Sequence, residues 1–275
     1  MAKRSKYVKP AEPHILHAQV AASKQVSPNF IRVTVGGDDL NRFVPMGYDQ
    51  WFRMFIKRPG QTELRLPTQT SKLWYAQYLM MGKDTRPTVR NYTVREFRPA
   101  GSGLFGPGPE MDIDFVAHGD SSPASAFATH AAPGEELAML DEGLIYNPPP
   151  EAPWQLLVGD ESALPAIVGV LRSAPRDLKG HAFIEIPHAD DAQEVDAPHG
   201  VDVHWLTRPD PHGVPGQFAL QTVTAATLPD EPGYAFVVGE QQLATGLRRH
   251  LVNERKWPKE NVSFTGFWRV GKAAG

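Results

Sequence analysis

The sequence predicts an all-β unit followed by an α/β unit: a six-stranded antiparallel barrel, then a parallel sheet with helices. Three observations predict it. The first half is a series of short strand-like runs punctuated by Gly, Pro, Asn and Ser turns. The second half alternates short apolar strands with helices, the rhythm of a parallel sheet. Between them, Tyr146-Asn147-Pro148-Pro149-Pro150-Glu151-Ala152-Pro153 is too proline-rich to continue either pattern and reads as a stiff linker. The units are therefore 1–147 and 148–275.

In order, His14–Val26 and Phe30–Val35 read as two strands turning at Ser27-Pro28-Asn29, followed by a short helical turn over Asp38–Phe43. Trp51–Ile56 is the third strand, closed by Arg58-Pro59-Gly60, and Leu73–Met81 is a short helix. Arg90–Arg98 reads as one strand and Glu110–His118 as the next, with clean alternation through Asp112-Ile113-Asp114-Phe115. Ser121-Ser122-Pro123-Ala124-Ser125 has serine caps and an early proline, the marks of a helix start. Leu137–Leu140 completes the six strands.

Beyond the linker, Trp154–Val158, Ala182–Ile186, Val201–Leu206, Tyr234–Val238 and Val262–Thr265 read as buried strands. Ala163–Ala174, Leu220–Ala226 and Leu243–Arg255 supply helices. Ligands of such sheets sit off the strand C-termini.

Composition narrows the chemistry. There is no cysteine in 275 residues, which removes disulfides, thiolate nucleophiles and cysteine-ligated clusters. If the chain moves electrons, an organic cofactor must carry them. A net charge of −3 gives no global attraction to nucleic acid, so any anion site is a local basic patch. The ten histidines show no metal-ligand spacing, and no G-x-S-x-G elbow supports a hydrolase. No secretory leader or spanning run is visible, and cytoplasm is the expected location, without membrane insertion.

Candidate binding residues follow from position. In Arg90-Asn91-Tyr92-Thr93-Val94-Arg95, Tyr92 and Val94 are read on one strand face, with Arg90, Thr93 and Arg95 available to a ligand. Ring, hydroxyl and guanidinium suit a flat, phosphate-bearing molecule; the same residues also suit a cross-strand Arg/Tyr surface ladder. The helix start at Ala124-Ser125 offers free amides to a pyrophosphate, or is merely a cap. Gly159-Asp160-Glu161-Ser162 ends the first strand of the second half; Asp160 or Ser162 can cap the helix, and the paired carboxylates would repel a phosphate. Arg208 follows a strand where an adenosine ribose is met, favouring the 2′-phosphate of NADPH, or is a solvated loop arginine. Glu240 is read as a nicotinamide contact or a helix-start acid. Phe267, Trp268, Arg269 and Lys272 gather aromatics and cations at the C-terminus. Gly101-Ser102-Gly103-Leu104-Phe105-Gly106 matches G-x-G-x-x-G formally, but Pro99, Pro107 and Pro109 around it mark a hairpin loop rather than a dinucleotide motif.

Taken together, Arg90–Arg95, Asp112–Gly119 with Pro123-Ala124-Ser125, Gly159–Ala166, Gly239-Glu240 and Gly266–Gly271 resemble, in order, the siderophore-interacting protein family of the ferredoxin-reductase-like superfamily. The resemblance spans roughly 15–272. It implies a flavin-binding barrel joined to an NAD(P)H-binding-like α/β domain, with non-covalent FAD. The implied activity is reduction of Fe(III) held by a siderophore, with electrons from NAD(P)H or a reduced ferredoxin. Position by position, Arg90, Tyr92, Thr93 and Val94 would hold the flavin, His118 the adenosine side, and Ala124 and Ser125 the pyrophosphate. Asp160, Ser162, Ala163, Arg208, Glu240 and Trp268 complete the implied cofactor set. Arg53, Arg269 and Lys272 are expected to ring an anionic ferric complex, and no protein metal ligand is implied. Asn91, Ser122, Asp141-Glu142-Gly143 and Phe267 depart from the family pattern.

Overall fold

The computed structural model describes residues 5–71, 73–117, 119 and 122–272, which form two compact units. One comprises Lys9–Met46 and Gln50–Gly143; the other runs from Leu144 onward and recruits Gly47–Asp49.

The β unit contains β1 (Ile15–Ser27), β2 (Phe30–Gly36), β3 (Trp51–Ile56), α1 (Leu73–Met80), β4 (Thr88–Thr93), β5 (Glu96–Arg98), β6 (Glu110–Val116), α2 (Pro123–His130) and β7 (Glu136–Gly143). They make one seven-stranded antiparallel sheet, ordered β4-β3-β7-β1-β2-β6-β5. The expected six strands become seven because the Arg90–Arg98 run is two strands on opposite edges of the sheet. Only Val94 and Arg95 separate them, a span of about 10 Å at strand rise, so the sheet must curl until its edges meet. The link bonds to both edges: Val94 N donates to Gln50 O (2.8 Å) and Arg95 N to Asp112 O (3.0 Å).

Alternation along β6 shows why the roll is stable. Met111, Ile113 and Phe115 enter the core with Val33, Val35, Phe52 and Met54. Glu110, Asp112 and Asp114 point the other way and are covered by arginines. Arg98 forks onto Asp112 (2.8 and 2.7 Å) and Arg32 onto Asp114 (2.7 and 2.9 Å), while Arg95 also reaches Asp114 (3.2 Å). Bidentate geometry satisfies carboxylates that would otherwise be costly to bury. In the Gly101–Gly106 loop, Leu104 N and Phe105 N donate to the Glu110 carboxylate, each at 2.7 Å. The loop thus holds an acid of its own chain rather than a phosphate.

The second unit contains β8 (Gln155–Gly159), α3 (Leu164–Ser173), β9 (Lys179–Ile186), β10 (Gly200–Thr207), α4 (Gln217–Ala225), β11 (Tyr234–Glu240), α5 (Gln241–Arg249) and β12 (Val262–Trp268). All five strands are parallel, in the order β10-β9-β8-β11-β12. The chain reverses direction across the sheet between β8 and β11, the topological switch point at which such sheets bind ligands. The expected helix Leu243–Arg255 is shorter: α5 stops at Arg249 and a π-helical turn, His250–Glu254, follows. Gly47–Asp49 joins this unit because Tyr48 N donates to Ser173 Oγ (2.7 Å) and Asp49 accepts from Ile145 N and Tyr146 N (3.1 Å each). Burial pushes the Asp49 carboxyl up to about 6. No helix among the described residues is long and apolar enough to cross a membrane.

Candidate functional site

In the β unit the candidate site is β4, an edge strand paired only with β3. Register places Arg90 opposite Met54, Tyr92 opposite Phe52, and Thr93 opposite Trp51. Residues two apart share a face, so Arg90 lies on the Tyr92 side and Thr93 on the other; this corrects the expected grouping of Arg90 with Thr93. Tyr92 is braced by Phe115, with ring centroids 4.3 Å apart, and Val94 packs against the same core. Burial raises the Tyr92 phenol, which therefore stays protonated as a donor.

The arginines divide sharply. Arg32, Arg53, Arg95 and Arg98 each hold a carboxylate. Arg90 holds none; its Nη1 donates only to Val89 O of its own strand (2.7 Å). Tyr92 and Thr93, the latter 8% exposed, likewise have no side-chain hydrogen-bond partner among the described residues. Arg90 and Tyr92 thus share one face of β4 without an acidic or hydrogen-bonding side-chain partner among the described residues, and Thr93 is buried on the other face.

The other β-unit candidates stand differently. Ser122 Oγ caps α2 by accepting from Ser125 N (3.2 Å), so that amide is already satisfied. Ala124 and Ser125 are buried, leaving the Ala124 amide as the remaining donor at this end. His118 lies outside the described residues. Arg53 corrects the expectation of a free substrate cation. Its Nε donates to Glu142 (2.6 Å), Nη1 reaches Asn91 (3.4 Å), and its guanidinium lies over the rings of Trp51 and Trp74. Glu142 also binds Lys9, so this carboxylate is shared by two cations.

At the switch point of the second unit, the expected cofactor contacts are structural. Asp160, Ala163 and Glu240 are each 0% exposed. Asp160 accepts from Ser162 N (2.9 Å), Ser162 Oγ (2.5 Å) and Glu240 N (2.6 Å). Arg208, expected beside an adenosine ribose, is buried between Glu161 (2.5 Å) and Glu185 (2.6 Å). Glu185 in turn accepts from Gly216 N and Ala219 N, fixing the start of α4. Burial, with Asp160 alongside, pushes the Glu161 carboxyl up to about 7. Asp160, Glu161, Glu185, Arg208 and Glu240 thus satisfy one another within the chain, and Ser162 is the partly exposed member of the group.

The network instead frames a neighbouring cavity of about 460 Å³ lined by Leu220, Gln241, Gln242, Thr245, Gly246, Arg249 and Arg269. Glu240 caps α5 through Gln242 N and accepts from Val270 N (3.2 Å), holding two walls of the cavity together. The second wall is a tight turn in which Lys272 N donates to Arg269 O (3.1 Å) around Gly271 at φ 74°. Close approach of β12 to α5 requires Gly266, whose Cβ would strike the Gln241 side chain. The side chains of Arg249, Arg269 and Lys272 hold no carboxylate among the described residues. Trp268 Nε1 is buried without a hydrogen-bond partner. Arg249 belongs to the basic run Arg248, Arg249, Arg255 and Lys256, which the sequence alone reads as a solvated helix face. Gln241, Thr245 and Arg249 recur every four residues and so form one helix stripe, a signal the sequence carries.

A seven-stranded antiparallel sheet followed by a doubly wound five-stranded parallel sheet defines the class of two-unit, ferredoxin-reductase-like folds. Residues 19–144 match the family profile described as siderophore-interacting FAD-binding domain, and 152–271 that described as siderophore-interacting protein. Ferric vibriobactin reductase ViuB of Vibrio cholerae is 30% identical over 256 residues, covering 90% of this chain and 87% of the relative. The NADPH-dependent ferric-chelate reductase of Escherichia coli is 25% identical over 252 residues, covering 90% of each. The crystal structure of a siderophore utilization protein from T. fusca matches with a TM-score of 0.78 at 28% identity, covering 95% of both chains. The chain belongs to the siderophore-interacting protein family.

Proposed function

We propose that this protein is an FAD-dependent reductase of siderophore-bound ferric iron. The observation that carries the reading is the contrast on the β unit: Arg90 and the Tyr92 and Thr93 hydroxyls have no side-chain partner among the described residues while the other strand arginines are neutralised. Bound FAD would supply the two-electron to one-electron exchange that the side chains of this chain lack. Arg90 would neutralise a cofactor phosphate. The Tyr92 ring, immobilised by Phe115, would offer a flat face, and its protonated phenol and the Thr93 hydroxyl would donate hydrogen bonds. No general base is required, because electrons rather than protons are transferred to the metal.

The iron stays with its chelator as substrate. Hard oxygen donors hold Fe(III) more tightly than Fe(II), so reduction itself loosens the complex. Ferric chelates carrying net negative charge would be drawn to Arg249, Arg269 and Lys272, the unpaired cations around the α5 cavity.

NAD(P)H is the first candidate donor, supported by the named activity of the E. coli relative. A reduced ferredoxin is a second, favoured by the closed network of Asp160, Glu161, Glu185 and Arg208 at the strand ends where a dinucleotide would seat. The test is reconstitution with FAD, followed by anaerobic turnover of ferric siderophores with NADPH, NADH or reduced ferredoxin. The expected result is a yellow protein that releases Fe(II) with one of these donors. A protein that stays colourless after FAD addition overturns the proposal, as does a yellow one that binds siderophore without reducing it.

A further inference from the structure

The outer face of α1 is apolar and exposed. The helix, Leu73-Trp74-Tyr75-Ala76-Gln77-Tyr78-Leu79-Met80, contains no charged residue. Trp74 and Tyr78 share one stripe and anchor it: Trp74 packs edge-on to Phe55 (5.9 Å), and Tyr78 Oη donates to Pro87 O (3.1 Å). Arg86 closes the C-terminal end by donating to Leu79 O (2.6 Å) and Met81 O (3.1 Å). At 100° per residue, Leu73, Tyr75, Ala76, Leu79 and Met80 face away from that anchor. All five are exposed, with Leu73 at 62%, Tyr75 at 52%, Leu79 at 48% and Met80 at 79%. A helix held rigidly with its apolar face in water calls for an occupant.

Charge identifies it. Residues 57–86 contain six basic side chains (Lys57, Arg58, Arg65, Lys72, Lys83, Arg86) against two acidic ones (Glu63, Asp84), within a chain whose net charge is −3. The basic surplus therefore falls in the sequence segment that carries this helix, where Lys57 pairs with Glu136 and Arg65 with Glu63, while the rest of the chain is acidic. Arg58 and the exposed Lys83 hold no carboxylate among the described residues. Apolar and aromatic side chains on one helix face, with cations flanking them, match an anionic lipid surface: the apolar groups enter the headgroup boundary and the cations meet the phosphates. We propose that α1 docks this protein reversibly onto an anionic bilayer. This is surface attachment rather than insertion of a spanning segment, and it is independent of the redox reading.

The test is co-sedimentation of the full-length, FAD-reconstituted protein with phosphatidylcholine vesicles, with or without about 30 mol % phosphatidylglycerol. Binding to the anionic vesicles is expected at about 50 mM salt, weakening at about 500 mM as the charges are screened. Leu79→Glu and Met80→Glu should each reduce the partition coefficient at least about tenfold. Lys83→Glu should reduce it less, and Val44→Glu, a change at a residue 67% exposed elsewhere on the unit, should leave it unchanged. Circular dichroism verifies that each variant folds. The proposal is overturned if wild-type protein does not sediment with anionic vesicles at low salt, or if the α1 variants bind as well as wild type. It is also overturned if sedimentation velocity shows a dimer that Met80→Glu dissociates, which would assign the face to a second copy of the chain.

Discussion

Replacing Arg208 by Met separates a structural arginine from a nucleotide-reading one. Its guanidinium lies between Glu161 at 2.5 Å and Glu185 at 2.6 Å, and the residue is 6% exposed. Removing one partner of a buried ion pair costs about 3–5 kcal/mol, because the charge left behind has lost both water and counter-ion. For a chain of this size that corresponds to a fall in Tm of about 6–20 °C. The loss should depend on pH. The Glu161 carboxyl is already raised to about 7 by burial, against an ordinary value near 4.5, so its contribution is full below about 4.5 and is lost as pH rises through 7. Without the guanidinium, which lowers it, that value rises further. The gap between variant and wild type should therefore widen from pH 6 to pH 8. Chemical denaturation followed by the fluorescence of Trp154 and Trp257, both buried in the same unit, measures it. A variant of wild-type stability whose KM for NADPH alone increases would refute the reasoning and restore Arg208 to a ribose-phosphate site.

Asp49→Asn should do the opposite. Burial holds the folded carboxyl at about 6 against 3.8, so its stabilising contribution is complete below 3.8 and disappears as pH climbs through 6. The neutral amide should flatten that slope, so that the Tm of the variant relative to wild type rises from pH 4 to pH 8 by the equivalent of up to about 3 kcal/mol, from a starting point lowered by the lost acceptor for the Tyr146 amide. Gly169→Ala drives a methyl into the Tyr48 carbonyl and should destabilise the second unit by about 1–3 kcal/mol, measured in the same denaturation experiment. Arg90→Ala removes a charge-assisted contact worth about 1.5–3 kcal/mol and should weaken FAD binding roughly 10- to 150-fold by fluorescence titration. Arg249→Ala and Arg269→Ala should instead raise KM for an anionic ferric chelate while flavin content stays at the wild-type level.

How much of this was legible depended on what each pattern encodes. Strand and helix periodicity located every β strand of the second half, and the proline run marked the change in rhythm. Periodicity could not divide Arg90–Arg98, because alternation continues unbroken through Val94 and Arg95 while the chain crosses from one sheet edge to the other. The missing information lies in Gln50 and Asp112, distant acceptors for those two amides. The same limit governed the arginines. Arg53, Arg90 and Arg208 are equivalent in sequence, and only the placement of Glu142, Glu161 and Glu185 by other elements shows that Arg90 alone of the three lacks an acidic partner. Asp160 and Glu240 were read from the sequence as cofactor contacts or helix-start acids. Their tight turn chemistry is the same whether the acid meets a ligand or the next strand, and here it meets the next strand.

The two-residue crossing at Val94-Arg95 has a mechanical consequence. It is the seam of a rolled cylinder, and the proposed flavin grip lies on one lip of that seam. Amide hydrogens along β4 and β5 should exchange fastest in protein stripped of cofactor and slow together when the lip is occupied. On this view occupancy acts as a clasp, and the empty β unit is the form that proteases open first.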